Sequence, residues 1–214
     1  MINKIFIAEF IGSCFLTMII VGSGIMAESL TNDNAIMLLA NAIATGAGLF
    51  VLITTFAEVS GAHFNPIVSL AMYFRKKIDK KDLVNYFSAQ ILGCLIGVGM
   101  ANFFFDHQIY ELSSKSRNGL PIFISEIIAS IGLLLVIFGS LKSGKSIVAA
   151  NVSFYITAGY WFTASTSFAN PAVSISRAFT DSFTGIAFES LPFYLLAQFF
   201  GLFAAMFIIK KLFK

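Results

Sequence analysis

Long apolar stretches, separated by short polar ones, dominate the chain. Six of them (residues 5–26, 35–56, 83–105, 121–141, 147–162 and 191–212) come near the roughly 20 residues that a helix needs to cross a bilayer. The punctuation at 31–34, 79–82, 115–119 and 142–145 is rich in Asn, Asp, Lys, Ser and Gly, as turns are. Two further segments, 65–74 and 170–179, are apolar but only about half a span long, and each opens with Asn-Pro. Asparagine is a good N-cap and proline is accepted at the first helical position, so each reads as a re-entrant half-helix. The pattern predicts an all-α membrane protein with six transmembrane helices and two half-helices.

Composition removes the soluble alternative. Of 214 residues, 57% are hydrophobic and 12% charged, whereas a water-facing surface needs about 25–35% charged residues. The net charge of +3 is a matter of placement. With the N-terminus inside and the spans alternating, Lys4, Arg75, Lys76, Lys77, Lys80, Lys81, Lys142, Lys145, Lys210, Lys211 and Lys214 fall on the cytoplasmic side. Only Lys115, Arg117 and Arg177 fall outside. This positive-inside bias predicts cytoplasmic termini in a cell (inner or plasma) membrane, and it argues against nucleic acid as a partner. The first apolar run is too long for a signal peptide core and reads as the first span.

Chemistry-bearing clusters are sparse. Cys14 and Cys94 both sit in apolar runs. No His/Cys set has metal spacing, and neither a Gly-x-Ser-x-Gly elbow nor a phosphate loop occurs. The expectation is therefore no enzyme, no metal and no cofactor.

Self-comparison shows two copies of one plan. Ala8-Glu-Phe-Ile-Gly12 resembles Ser125-Glu-Ile-Ile-Ala129, Asn65-Pro-Ile-Val-Ser69 matches Asn170-Pro-Ala-Val-Ser174, and Ala89-Gln-Ile-Leu-Gly93 matches Ala197-Gln-Phe-Phe-Gly201. The offsets are 117, 105 and 108 residues. Approximately 1–110 and 120–214 are thus expected to be repeats within one channel domain, 1–214. Three spans each make the second copy inverted, and inverted repeats with broken helices place a site near the midplane. Two half-helix N-termini meeting there carry about +0.5 charge each. Asn65 and Asn170 can cap their helices and still offer amide donors to a passing solute. Such a centre orients small neutral molecules and repels cations and protons.

The segments Ser60-Gly-Ala-His-Phe-Asn-Pro-Ile-Val-Ser69 and Phe168-Ala-Asn-Pro-Ala-Val-Ser174 closely resemble the paired Asn-Pro-Ala motifs of the aquaporin and aquaglyceroporin (major intrinsic protein) family. Together with the matched Glu and Ala-Gln helices, the resemblance covers essentially the whole chain. It implies an aquaporin-like inverted repeat, one pore per protomer, and a homotetramer in the lipid bilayer. The pore centre falls on Asn65, Pro66, Ile67, Asn170, Pro171 and Ala172. The family's usual arginine, three residues after the second asparagine, is Val173 here. Counting without gaps from the two asparagines puts the other constriction positions at Thr45, Ala158 and Ser167. All four are small, which predicts a wider and less polar constriction than that of a strict water channel. Glycerol, water and neutral metalloid hydroxides such as arsenite are the expected solutes. Residues 162–174, with Arg177 and 180–183 after them, are similar to a bacterial branch associated with arsenical transport.

Other positions keep two readings. Arg177 either lines the outer vestibule or bonds loop carbonyls or Asp181. Glu58 either lines the cytoplasmic mouth or braces a loop. His63 is either a pore-side residue held by loop contacts or a pH-sensitive gate. For Glu9 and Glu126 the resemblance implies loop bracing, against a proton relay. A mainly water-selective channel and, from another class, an ion-coupled transporter are the alternative functions.

Overall fold

The computed structural model describes residues 4–213. Lys214, counted above with the cytoplasmic charges, lies outside them. Among the described residues every regular element is helical: α1 Lys4–Leu30, α2 Asn34–Phe56, α3 Pro66–Phe74, α4 Lys80–Phe104, α5 Leu120–Ser140, α6 Lys145–Phe162, α7 Pro171–Ser176 and α8 Leu191–Leu212. Short 3-10 turns follow α5 (Leu141–Ser143) and α7 (Arg177–Phe179) and precede α8 (Phe188–Ser190). Helices α1, α2, α4, α5 and α8, the last two with their turns, are long and apolar enough to cross a membrane. The expected fifth span is present as α6, but Lys145, Asn151, Ser153 and Thr157 dilute its apolar run.

The polar punctuation starts helices. Asp33 accepts from the Ala35 and Ile36 amides at 2.8 and 3.3 Å, and Asp79 from the Asp82 amide at 2.7 Å. Each cap stabilises its helix by about 0.5–2 kcal/mol. The second half-helix is shorter than the pattern predicts. It keeps α geometry over Pro171–Ser176 only, and the Ile186 amide donates back to the Arg177 carbonyl at 3.2 Å.

Helix α1 packs on α2 and α4, α5 packs on α6 and α8, and α2 meets α6 across the two halves. The half-helices α3 and α7 touch each other and both lean on α4 and α8. Two glycines set the closest approaches. A Cβ at Gly93 would strike the Phe10 carbonyl oxygen, and one at Gly201 would lie 2.7 Å from that of Ile127. Small residues bring backbones together in this way where lipid removes the hydrophobic drive between helices. Large apolar side chains such as Phe15, Ile43, Phe154 and Phe207 remain exposed on the outer faces, where lipid tails solvate them. A buried cluster that includes Leu16, Ile53, Ile67, Leu134 and Leu202 fills the middle.

Candidate functional site

Two buried carboxylates organise two strained loops. Ala62 and Phe64 before α3, and Thr166, Ser167 and Ala169 before α7, all have positive φ, a region that non-glycine residues avoid. Glu9 Oε1 accepts from Ser60 Oγ at 2.6 Å and the His63 amide at 2.9 Å. Its Oε2 accepts from the Phe64 amide at 2.7 Å and Gln90 Nε2 at 2.8 Å. Glu126 repeats the plan, accepting from the Phe168 and Ala169 amides, both at 2.9 Å, and from Gln198 Nε2 at 2.8 Å. Gln90 and Gln198 also donate to Ser69 Oγ and Ser174 Oγ, at 2.9 Å each. The Tyr86 hydroxyl donates to the Ser60 carbonyl.

This bracing aims the other side of each peptide. In a trans peptide the N–H and C=O point in opposite directions. Amides held on Glu9 therefore turn the Ala62 and His63 carbonyls away from it, and Glu126 does the same to those of Ser167 and Phe168. All four residues line one cavity.

At the meeting of the half-helices the asparagines exchange bonds. Asn65 Oδ1 caps α3 through the Ile67 amide at 3.0 Å, and its Nδ2 donates to the Ala169 carbonyl at 2.7 Å. Asn170 Oδ1 caps α7 through the Ala172 and Val173 amides at 3.1 and 3.3 Å, and its Nδ2 donates to the Phe64 carbonyl at 2.8 Å. Each side-chain amide carries a second N–H. Both asparagines line the cavity; Pro66, Ile67, Pro171 and Ala172 are buried and do not. Ile67 and Ala172 instead belong to the packed cluster behind the wall.

The cavity encloses about 110 Å³. A water needs roughly 10–15 Å³ of such space, so a file of small molecules fits. On α6 its wall runs from Val148 to Tyr160, about 18 Å along the axis at 1.5 Å per residue. Most of the wall is apolar, through Leu16, Ile20, Leu49, Val68, Val152 and Ile156. Among the described residues, no acidic side chain lines it.

Of the four constriction candidates, Thr45, Ser167 and Val173 line this cavity and Ala158 does not. Ala158 is exposed on the outer face. Two residues past Ile156, it is turned by about 200° from the cavity face of α6. Tyr160 stands there instead, with its hydroxyl 3.1 Å from Thr45 Oγ1. Arg177 also lines the cavity, so a phenol and a guanidinium stand on the same wall as the three small side chains. Ser167 Oγ is buried without a hydrogen-bond partner among the described residues.

Arg177 lines the cavity and also bonds a loop carbonyl, though not Asp181. It is 2% exposed and stacks 3.5 Å from the Phe168 ring, while its Nε donates to the Thr184 carbonyl at 2.5 Å. Asp181 is engaged elsewhere, with the Ser114 amide and hydroxyl. Glu58 lies off the cavity, in a surface ion pair with Lys145 at 2.5 Å that ties the end of α2 to the start of α6. His63 lines the cavity with Nδ1 3.0 Å from Ser69 Oγ and its ring stacked on Tyr86. Sequence reasoning missed Gln90, Gln198, Ser69 and Ser174 as braces, although their repeat positions signalled them. It also missed Tyr160 and Phe168, for which no periodic signal exists. Among the described residues no group of three or more His, Cys, Asp or Glu side chains is placed to hold a metal ion.

A family model for the major intrinsic protein matches residues 1–208. The chain is 43% identical over 206 residues to the aquaglyceroporin AqpS of Rhizobium meliloti (strain 1021), an alignment covering 96% of this chain and 88% of that one. It is 28% identical over 204 residues to nodulin-26 of Glycine max, covering 91% and 72%. The X-ray structure of the aquaglyceroporin from Plasmodium falciparum matches with a TM-score of 0.76 at 24% identity, over 98% of this chain and 96% of that one, which is a likeness of fold.

Proposed function

The chain belongs to the major intrinsic protein family, and from that premise we propose a passive transmembrane pathway for small uncharged solutes of glycerol's size. Water and neutral metalloid hydroxides such as arsenite belong to the same class. The chain is a channel and not an enzyme. One observation carries the reading: the reciprocal bonds of Asn65 and Asn170, which pin two helix starts together at the wall of a narrow cavity. The helix ends and remaining amide N–H groups present partial positive charge. The carbonyls of Ala62, His63, Ser167 and Phe168 supply acceptors along the path, and the apolar wall faces a solute's C–H groups. A polyol exchanges its water hydrogen bonds for these at little cost. A cation loses its hydration shell and meets two positive helix ends, so it is excluded.

The pore-centre role belongs to Asn65 and Asn170, and the constriction is assigned to Thr45, Tyr160, Ser167, Val173 and Arg177. The two halves act as inverted repeats of one channel domain. The distribution of basic residues supports cytoplasmic termini in the cell membrane, and the family resemblance supports a homotetramer with one pathway per chain. The ion-coupled alternative lacks an acidic residue on the cavity wall among the described residues. The test is stopped-flow swelling of proteoliposomes in a glycerol gradient. Glycerol entry well above that of protein-free vesicles is expected. Water entry without glycerol entry would favour the water-selective reading, and the absence of both would reject the channel.

A further inference from the structure

A second cavity of about 230 Å³ opens beside the first, and Tyr160 and Arg177 line both. Its wall also carries Lys115, Arg117, Asn34 and Thr166. Three cations therefore face one space. They are gathered by the carbonyls of a single segment, 183–185. Lys115 Nζ donates to the Phe183 carbonyl at 2.7 Å, Arg117 Nε to that of Gly185 at 2.8 Å and Nη2 to that of Phe183 at 3.3 Å, and Arg177 Nε to that of Thr184 at 2.5 Å. The Phe168 ring lies 5.3 Å from the Arg117 guanidinium and 3.5 Å from that of Arg177.

Among the described residues no carboxylate forms an ion pair with this group within 4.0 Å. Glu28 accepts from the Phe183 amide, Asp181 from Ser114, Asp33 from the start of α2, and Glu126 from the loop before α7 and Gln198. Among the described residues the one ion pair within 4.0 Å is Lys145–Glu58, which is elsewhere. Burial, and then the nearby Arg117, hold the Lys115 ammonium below the usual lysine range, against the opposing pull of Glu28 and Asp181. The terminal amino groups of Arg177 carry no hydrogen bond among the described residues. Guanidinium forks present parallel N–H donors that match two oxygens of one anion, and the Thr166 hydroxyl on the same wall is a neutral donor.

We propose that this cavity binds a small oxyanion, of the sulfate or phosphate class, between Lys115, Arg117 and Arg177. Bound there, the anion stands where the two cavities share Tyr160 and Arg177, and it obstructs the neutral solute. The obstruction rests on the channel reading; the binding does not.

Two measurements on the full chain test this. Calorimetric titration of sodium sulfate into protein in neutral detergent, at constant ionic strength in chloride, reads binding alone. Stopped-flow glycerol entry, into vesicles holding equal sulfate inside and out, reads obstruction. Saturable binding is expected, with glycerol entry falling over the same concentrations. Lys115→Gln and Arg117→Gln should each weaken sulfate binding about tenfold, the change carried by one charge-assisted hydrogen bond, and Lys115→Arg should preserve it. Each variant's flux is compared with its own sulfate-free rate. Absence of saturable binding to the unaltered protein, or unchanged affinity in both glutamine variants, overturns the site. Binding with unaffected glycerol entry overturns the obstruction. A preparation that binds sulfate but passes no glycerol even without it counts against the channel and leaves the site standing.

Discussion

Glu126 accepts three N–H donors on its two oxygens and keeps Ser167, Phe168 and Ala169 in shape. A carboxamide in its place has one acceptor oxygen, and its NH2 faces another donor. Glu126→Gln should therefore lower stability by about 1.5–3 kcal/mol, the worth of a hydrogen bond to a charged group. Thermal unfolding in detergent measures it, and an unchanged midpoint would count against the bracing role. Val173 faces the cavity one helical turn before Arg177. Val173→Arg should add bulk and a second cation there, lowering glycerol entry about tenfold for roughly 1.4 kcal/mol of added barrier. Water entry should fall less, and equal losses in both fluxes would argue that Val173 does not discriminate by size. The glutamates were legible in the sequence because a lone acid recurs at matching places in two apolar helices. Tyr160 was not, since ungapped counting gave Ala158 and the rotation of α6 decides which of the two meets the cavity. Arg177 faces both cavities because Phe168 and the Thr184 carbonyl hold it, and those contacts leave no periodic trace.

Among the helices, the long ones follow from apolar runs and their starts from Asp33, Asp79 and the two Asn-Pro pairs. Helix α7 stops early for a reason the run 170–179 does not show. It gives way to a 3-10 turn at Arg177, whose Nε donates to the Thr184 carbonyl and whose carbonyl accepts from the Ile186 amide, both beyond it in sequence. The contact of α8 with α5 depends on Gly201 lying against the Ile127 carbonyl and Ser130. Gly201→Val has nowhere to place its side chain unless the helices separate. Overpacking of this kind costs about 1–3 kcal/mol. A lower unfolding midpoint in detergent is the expected result, and a midpoint equal to that of the unaltered protein would show that these helices are not in backbone contact.

Across the molecule, two glutamate-braced loops converge on a shared cavity, and two asparagines bind each loop to the other's helix start. The order of elements and the meeting of the half-helices were legible because the motifs recur in register. The three-cation cavity was not, because Lys115 and Arg117 reach Arg177 only through the fold of segment 183–185. The central claim is that this centre passes neutral molecules and refuses charged ones. It is tested most directly by recording glycerol entry together with proton and potassium leak in one batch of proteoliposomes. Rapid, gradient-driven glycerol entry with both leaks at the level of protein-free vesicles is the predicted result. Proton or potassium leak rising with the amount of protein, or glycerol uptake that requires an ion gradient, would contradict it.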